Sequence, residues 1–309
     1  MLTKSQVKHK QILTIIATHE KSEYIKLSNE NLVLVEDGVN KSKTPLSKIL
    51  ILIIIGRMTI STALLSKLST NKIPTVILGI NLKLVANILP STSSQNFSQK
   101  YSQYQTYYNQ EQRLEIAKQL VDEKIQTSIN TLQKTRKTTN NKLLKKYKKQ
   151  LQSTKCIEEV MGVEGVVSKI YFQNLFSNIN WQKRQPRHKA DITNTLLDLG
   201  YTYLYNYFSA LVQLSGLDPF VGFLHTQYYS RHSLANDYME PFRSIIDYEV
   251  LKIHNQKRIN SKDFILKNNK YQFSSYDSIK KYSQIFLTTI TDNQEKIFNY
   301  IQNQTKKFQ

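Results

Sequence analysis

The feature that most constrains the fold is an uninterrupted apolar run, I-L-I-L-I-I-I, from Ile49 to Ile55. Seven residues are too few to cross a bilayer as a helix, which takes about 20. A short run rich in isoleucine, without alternating polar residues, is typical of a strand that is buried on both faces. The run therefore predicts a sheet that is covered on both sides.

Residues 10–90 carry further strand signals around this run. The elements that the pattern predicts are strands at 11–18, 24–27, 32–35 and 74–78 and a short helix at 61–68. The polar stretch 28–31 predicts a hairpin turn, and Ser61 or Thr62 is a suitable helix N-cap. This region has no histidine–carboxylate cluster and no glycine-rich phosphate loop, which favours a platform or oligomerisation domain over a catalytic one.

A small, polar stretch from Pro90 to Asn96 is the clearest linker, and we place a domain boundary there. Beyond it the pattern is helical, and the scarcity of turn residues, 8 Gly and 6 Pro, favours long helices. The predicted helices lie within 110–152, around 161–176, at 191–215 and near 278–301. The predicted fold class is α+β: a small β-rich N-terminal domain, residues 1–90, followed by a larger all-helical domain, residues 91–309.

The chain carries 43 Lys and Arg residues against 23 Asp and Glu, a formal net charge of +20. Such an excess favours a polyanionic partner, either nucleic acid or an anionic membrane surface. Because there is no apolar run of about 20 residues and no tryptophan-rich amphipathic anchor, we favour nucleic acid and expect no membrane partner. The basic block at 134–149 and the basic loop at 181–189 are candidate phosphate contacts, although each is also typical of an exposed surface.

The first ten residues, M-L-T-K-S-Q-V-K-H-K, lack an apolar core long enough for a signal peptide. The one cysteine, Cys156, excludes an internal disulfide framework and fits a reducing compartment. We therefore expect a cytoplasmic protein.

The stretch 222–243 concentrates acidic and imidazole side chains in an otherwise basic chain. Asp237 and Glu240 are three residues apart, so both carboxylates project from one face of a helix. Pro241 is expected to interrupt that helix and to leave the carbonyl of Asp237 without its amide partner. A kink beside two carboxylates and a histidine, His225, favours a functional site.

Glu164 is a further candidate, because it lies on the edge of a predicted apolar helix face. The residues assigned to that face are Val163, Val166, Val167, Ile170, Leu175 and Phe176. A carboxylate in this position either reaches water or is held there for a function.

Glu164, His225 and Glu240 together offer two carboxylates and one imidazole. This set suits Mg²⁺ or Mn²⁺ rather than a structural zinc, which would favour cysteines. A divalent metal beside a basic surface indicates phosphodiester chemistry. On spacing alone two interpretations stay open: a metal site, or a structural cluster in which His225 is a satisfied core histidine, the role we expect for His232.

Four stretches carry a resemblance to a known family. They are M-G-V-E-G with K-I-Y-F, D-I-T-N-T-L-L-D-L-G-Y, G-L-D-P-F-V-G-F-L-H, and S-L-A-N-D-Y-M-E-P-F-R followed by Asp247. In order and spacing they resemble the CRISPR-associated adaptation endonucleases and integrases, the catalytic subunits of the spacer-acquisition complex. The layout of that family, a β-rich domain before a larger helical catalytic domain, agrees with the predicted fold class.

The resemblance implies that Glu164, His225 and Glu240 are the ligands of a catalytic Mg²⁺ or Mn²⁺ ion. It implies that Asp237, one helical turn before Glu240, is an accessory catalytic carboxylate. Many members use aspartate as the last ligand, and the glutamate here resembles the branch that accompanies single-effector CRISPR systems.

Three further residues match positions that the family keeps near DNA. Arg243 matches a basic residue near the scissile phosphate, and Tyr171 matches an aromatic residue close to the site. Lys169 stands where many relatives have arginine, which puts a bidentate phosphate contact there in doubt. These three are the expected DNA-binding residues of the site.

By resemblance, the chain is a metal-dependent DNA endonuclease and integrase. The expected reaction inserts short foreign DNA fragments into a CRISPR array, as the 3′-hydroxyl of a fragment attacks a phosphodiester at a repeat border. The implied partners are double-stranded and branched DNA, a second copy of the chain, and a small ferredoxin-like protein that completes a heterohexamer. The alternatives are a stand-alone integrase of a mobile element and a non-catalytic basic DNA-binding scaffold.

Overall fold

The computed structural model describes residues 4–17, 22–80, 82, 84–88, 97–179, 181–186, 188–225 and 232–309. Its strands are β1 (Gln11–Ile16), β2 (Glu23–Ser28), β3 (Asn31–Glu36), β4 (Val39–Pro45), β5 (Ile49–Ile55), β6 (Thr59–Ile60), β7 (Thr75–Leu78), β8 (Leu84–Ile88), β9 (Phe264–Lys267) and β10 (Lys270–Phe273). Its α-helices are α1 (Lys4–His9), α2 (Thr62–Thr70), α3 (Phe97–Tyr108), α4 (Gln110–Lys134), α5 (Asn141–Gln152), α6 (Ile157–Leu175), α7 (Ile192–Leu214), α8 (Ser233–Met239), α9 (Arg243–Asn255), α10 (Tyr276–Asp292) and α11 (Gln294–Thr305). This order, a β-rich part followed by a mainly helical part, confirms the α+β fold class.

Two four-stranded sheets make up the N-terminal part. In the first, ordered β1-β5-β7-β8, the strands β1, β5 and β7 are parallel and β8 is antiparallel. In the second, ordered β4-β3-β2-β6, the first three strands are antiparallel and β6 pairs in parallel with β2. Strand β5 has a parallel neighbour on each side, and all seven of its residues are buried, as predicted.

Strand β5 contributes to two apolar cores, because successive side chains of a strand project from opposite faces of the sheet. Its pairing with β1 is irregular between Gln11 and Ile12, where the partners on β5 change from Ile49 to Ile51. Ile49, Leu52 and Ile54 join the core between the two sheets, and Leu50, Ile51, Ile53 and Ile55 join the core of the helical part. The strand therefore ties the sheets to the helices that carry the candidate site.

The predicted hairpin is present as β2 and β3. Its turn residues, Asn29 and Glu30, have φ values of 45° and 60°, the left-handed conformation of a two-residue type I′ turn. The predicted short helix is α2, which begins after Ser61, and the hydroxyl of Ser61 accepts a hydrogen bond from Leu64 N at 3.3 Å. The sequence analysis missed β4, β6 and β8.

Helix α7 is central to the C-terminal part and confirms the helix predicted at 191–215. Asp191 caps it by accepting a hydrogen bond from Asn194 N at 2.7 Å, and the helix packs against α8, α9, α10 and α11. The predicted last helix is divided into α10 and α11 at Asn293. The hairpin of β9 and β10 precedes α10, so this part is mainly rather than entirely helical.

The predicted linker at 90–96 lies outside the described residues, and α3 begins at Phe97. Helix α1 packs against α11 and strand β1 against α10, so the core of the helical part extends onto the first sheet. The division into domains at residue 90 stays a prediction. In the described part of the chain, no helix is both long and apolar enough to cross a bilayer.

Candidate active site

Pro241 lies in a 3-10 turn, Glu240–Phe242, that separates α8 from α9. Proline has no N–H group with which to reach the carbonyl of Asp237, as the sequence predicts. The carbonyl is nevertheless not left without a donor, because it accepts from the backbone N–H of Glu240, one residue earlier. This tighter turn corrects the sequence-based expectation and places Glu240 at the junction of the two helices.

Asp237, which is fully buried on α8, holds the loop that carries His225. Its carboxylate accepts hydrogen bonds from the backbone N–H groups of Phe223, Leu224 and His225 at 2.5, 2.9 and 3.1 Å. The loop passes so close to α8 that a Cβ atom on Gly222 would lie 2.7 Å from Asp237 Oδ2 and 2.8 Å from the α8 backbone. This close approach requires glycine at position 222.

The same carboxylate orients the imidazole of His225. Nδ1 lies 2.7 Å from Asp237 Oδ1, and because an ionised carboxylate only accepts, Nδ1 carries the proton and Nε2 is the nitrogen available to a ligand. Burial works to lower the pKa of His225, but the hydrogen bond to Asp237 and the charges of Asp237 and Glu240 outweigh it, so that the pKa is raised. A carboxylate on the far ring nitrogen is the usual support of a metal-ligating histidine.

The carboxylates of Glu164 and Glu240 meet at the ammonium group of Lys124 on α4. Lys124 Nζ contacts Glu164 Oε1 and lies 2.7 Å from Glu240 Oε2, while Arg243 Nε lies 2.8 Å from Glu240 Oε1. Burial works to raise the pKa of Glu240, but the charges of Arg243 and Lys124 lower it to about 2. Two of the predicted ligands, from different parts of the chain, thus converge on one largely buried cation.

Helix α6 places Glu164 between a buried and an open face, and its side chain is 25% exposed. The buried face consists of Val160, Val163, Val167, Tyr171 and Leu175. Val166, which the sequence analysis assigned to the buried face, is instead 41% exposed. At helical spacing Val166 lies on the same side of α6 as Gly162, Gly165 and Lys169, and we call these four residues the open face of α6. A Cβ atom on either glycine would meet no atom within 4 Å.

Arg243 is held between Glu240 and an aromatic ring. Its guanidinium carbon lies 4.8 Å from the centroid of the Tyr201 ring, and the hydroxyl of Tyr201 donates to Asp247. Burial raises the pKa of Asp247 to about 6. Tyr171 is only 3% exposed and belongs to the buried face of α6, so in this structure it does not present a surface to DNA.

Lys124 is the main residue that sequence reasoning missed. It lies in a long helix with several other lysines, and no spacing in the sequence links it to carboxylates that follow much later in the chain. Tyr201 lies within one of the four stretches, so that stretch was a usable signal. His232, by contrast, is buried and hydrogen-bonded to Ser209, as expected of a core histidine.

The structure therefore brings the candidate ligands together in two groups. Glu164 and Glu240 share Lys124, and His225 is held by Asp237; the charges of His225 and Glu240 are close enough to interact. Among the described residues, no three or more His, Cys, Asp or Glu side chains are arranged as a ready metal-binding group. The donor types nevertheless fit a divalent cation, because Glu240 Oε2 is buried without a directed hydrogen bond and Lys124 already supplies positive charge there.

The basic block forms part of an exposed surface beside α6. On α5, which packs against α4 and α6, Leu144 and Leu151 are buried while the lysines face outward. The exposed α5 lysines are Lys142, Lys145, Lys146 and Lys149. In the basic loop, Arg184 is tied to α7, because it donates to Asn194 at 2.9 Å and to Asp198 at 2.5 Å. Lys183 and Lys189 are therefore the candidate phosphate contacts of that loop.

Comparisons with known sequences agree with these features. The sequence profile of the family described as CRISPR associated protein Cas1 matches residues 16–287. The CRISPR-associated endonuclease Cas1 of Leptospira interrogans is 35% identical over 188 residues, which cover 55% of this chain and 74% of the relative. The Thermotoga maritima endonuclease of the same name is 26% identical over 240 residues, covering 76% of this chain and 75% of the relative.

Solved structures show the same fold. A Cas1 protein from Thermotoga maritima superposes with a TM-score of 0.85 at 22% identity and covers 96% of each chain. A casposase bound to an integration product has a TM-score of 0.79 at 26% identity, covering 91% of this chain and 82% of the casposase. With a family profile that spans most of its length and a similar relative covered over more than two thirds, the chain belongs to the Cas1 family of CRISPR-associated proteins.

Proposed function

We propose that this chain is a metal-dependent DNA endonuclease and integrase that inserts short DNA fragments into a CRISPR array. The 3′-hydroxyl of a fragment attacks a phosphodiester at a repeat border, and the displaced strand leaves with its own 3′-hydroxyl. The observation that carries the proposal is the convergence of Glu164 and Glu240 on one largely buried cation, close to His225, which Asp237 holds. Metal-assisted phosphodiester chemistry uses this combination of donors.

The related proteins support both halves of the reaction. The curated relatives are named endonucleases, which supports cleavage of a phosphodiester. The casposase was solved with an integration product, which supports strand joining by this fold. Cleavage and joining differ only in whether water or a 3′-hydroxyl attacks the phosphorus.

Glu164, His225 and Glu240 are the proposed ligands of Mg²⁺ or Mn²⁺. Two carboxylates and the Nε2 of one neutral imidazole are donors that both ions accept. When bound, such an ion polarises the phosphoryl oxygen and offsets the negative charge that develops on the phosphate. Asp237 keeps the imidazole in the tautomer that leaves Nε2 unprotonated.

Charged residues around the ligands would hold the DNA. Lys169 is exposed on the open face of α6, and the α5 lysines lie on the neighbouring helix. These ammonium groups bind phosphates as point charges and read little sequence. Arg243 is 25% exposed beside the proposed ligand Glu240, so its guanidinium would be placed to neutralise the reacting phosphate.

The proposed partners are DNA, a second copy of the chain and a small ferredoxin-like protein. Similar folds occur in a Cas1–DNA complex with a TM-score of 0.57 and in a Cas6-RT-Cas1–Cas2 complex with a TM-score of 0.76. The β-rich sheets are the proposed dimerisation platform.

A second candidate function is that of a stand-alone DNA integrase of a mobile element, which would catalyse the same strand joining. The similarity to the casposase favours it. The two candidates differ in their requirement for a partner protein. Strand joining into a repeat by the purified chain alone, at an undiminished rate, would favour the stand-alone integrase.

The proposal is tested with Glu164→Gln and Glu240→Gln variants and a fluorescent branched DNA substrate in Mn²⁺. Each glutamine keeps the shape of the side chain and removes the charge, so strand joining should fall by at least a hundredfold, about 2.7 kcal/mol of transition-state stabilisation. Circular dichroism and DNA affinity measured without metal show whether the variants are folded and bind.

Glu159→Gln is a matched control on the same helix. Glu159 accepts a hydrogen bond from the backbone N–H of Lys155 in the first turn of α6, away from the shared cation. It should join DNA at the wild-type rate. If Glu164→Gln and Glu240→Gln do so as well, the carboxylates are structural and the protein is a DNA-binding scaffold.

A further inference from the structure

Lys124 lies between the two carboxylates that are the proposed metal ligands. Its ammonium contacts one oxygen of Glu164 and lies 2.7 Å from one oxygen of Glu240, and its side chain is only 13% exposed. With Arg243 on the other oxygen of Glu240, the group contains two carboxylates and two cations and is neutral overall.

When no metal ion is bound, the two carboxylates need another positive partner. Without one, two negative charges would repel each other in a partly buried site, and Glu240 would be a buried charge with Arg243 alone as its partner. Lys124 reaches them from α4, a helix of 25 residues that packs against both α6 and the turn containing Glu240. It can therefore hold the pair together in the absence of metal.

The same contacts put Lys124 in competition with a divalent ion. An ammonium within hydrogen-bonding distance of both carboxylates occupies the space between them, and a divalent ion held by both carboxylates would have to take that space. Lysine is suited to give way, because its charge sits on a flexible four-carbon stem. Its ion pairs within the described residues are with these same two carboxylates, so the ammonium is free to move once a metal ion takes them.

We propose that Lys124 is a built-in counter-cation of the active site, which preassembles Glu164 and Glu240 and is displaced when a divalent metal binds. The inference rests on the proposed metal site. It makes Lys124 a positioning residue that sets how much metal the protein needs, because every loading event must break the ion pairs of the lysine.

The main test compares Mn²⁺ binding by the full chain and by Lys124→Met, which keeps the length of the side chain without its charge. Binding is measured by electron paramagnetic resonance of free Mn²⁺ and by thermal unfolding in EDTA and in Mn²⁺. Lys124→Met should bind Mn²⁺ at least tenfold more tightly than wild type does. It should unfold at a lower temperature in EDTA, and Mn²⁺ should raise its unfolding temperature by more than it raises that of wild type. Lys124→Arg, which keeps a cation, should bind Mn²⁺ no more tightly than wild type.

Lys252→Met is the matched control. It removes a lysine from an ion pair with another buried carboxylate, Glu249, at 3.0 Å. Its Mn²⁺ affinity should equal that of wild type. If Lys124→Met binds Mn²⁺ with wild-type affinity or more weakly, Lys124 does not compete with metal and the inference is wrong.

A second measurement uses wild-type protein and so does not depend on how well a variant folds. Acetylation of Lys124 by an amine-reactive reagent, followed by mass spectrometry, should rise several-fold when Mn²⁺ is added, while Lys118 on the same helix is unchanged. Unchanged labelling of Lys124 at saturating Mn²⁺ overturns the inference. Glu240→Gln separates the two levels: if it binds Mn²⁺ like wild type, the proposed metal site itself is wrong, whereas loss of binding there with no effect of Lys124→Met refutes only the counter-cation.

Discussion

Replacing Asp237 by asparagine tests how the loop bearing His225 is held. The change keeps the shape of the side chain but removes its charge and one acceptor oxygen. In the structure Oδ2 accepts from Phe223 N and Leu224 N, and Oδ1 accepts from His225 N and His225 Nδ1. If the NH₂ group takes the place of Oδ2, it faces two backbone donors, Phe223 N and Leu224 N. If it takes the place of Oδ1, it faces one, His225 N, because the neutral imidazole can carry its proton on Nε2 and accept at Nδ1. At least one buried donor is left without an acceptor, so the free energy of unfolding should fall by about 1–3 kcal/mol.

The same substitution should change how stability depends on pH. Asp237 helps to raise the pKa of folded His225 above its unfolded value of about 6.5. The stabilisation from this pair is therefore complete below that value and is lost as the pH rises through the raised folded pKa. Without the carboxylate, burial dominates and works to lower the pKa of His225, so this part of the pH dependence should reverse.

The assay is urea unfolding of the full chain in EDTA, followed by circular dichroism, at about pH 5, 7 and 9. Asp191→Asn is the control, because Asp191 is the N-cap of α7 and asparagine caps helices about as well. An Asp237→Asn variant that unfolds within about 0.5 kcal/mol of wild type, with the wild-type pH dependence, would refute the reasoning.

Three further predictions concern the space around two glycines and the charge of the α5 lysines. Gly222→Ala should cost about 1–3 kcal/mol in denaturant unfolding, because the added methyl group overlaps Asp237 Oδ2 and the α8 backbone; wild-type stability would contradict the close approach. Gly165→Ala should instead raise stability by about 1 kcal/mol, since its methyl group meets open space, and should weaken DNA binding measured by fluorescence anisotropy if DNA lies against α6. Changing the α5 lysines to glutamine should lower the slope of log affinity against log salt by roughly 0.9 for each phosphate that the protein no longer neutralises, and an unchanged slope would remove α5 from the DNA surface.

The sequence predicted those elements whose own residues, through their apolar pattern or their capping residue, favour a strand or a helix. The run 49–55 specified a buried strand, and Asp191 followed by a long apolar stretch specified α7 with its cap. Strand β4 was missed because its sequence, V-N-K-S-K-T-P, is polar and mostly exposed at the edge of its sheet. Strands β9 and β10 were missed for a similar reason, since the hairpin is short and Leu266 is 62% exposed. Pairing with a neighbour, rather than composition, makes these segments strands.

The residues of the candidate site fall into the same two groups: those that a local sequence pattern predicts and those whose role depends on the packing of distant segments. Asp237, Glu240 and His225 were found because they lie close together in the stretch 222–243, and Glu164 because it lies at the edge of an apolar helix face. The resembling stretches then supplied the roles that these residues are expected to have. The role of Lys124 depends on the packing of α4 against α6 and the turn at Glu240, which no local pattern encodes. Tyr171 is buried because it shares the apolar stripe of α6 with Val163 and Val167, and its role near DNA stays a prediction.

The open face of α6 adds an argument for where the substrate lies. Glycine in a helix interior costs about 1 kcal/mol relative to alanine, and α6 contains two such residues, Gly162 and Gly165, on either side of Glu164. Internal packing does not explain them, because a methyl group at either position would meet no atom of the described protein. Their common effect is to leave bare backbone beside the carboxylate of Glu164, with Lys169 further along the same face. A smooth surface that ends in a positive charge suits the close approach of a phosphodiester backbone, so we expect the stability given up at these two positions to serve the access of DNA to Glu164.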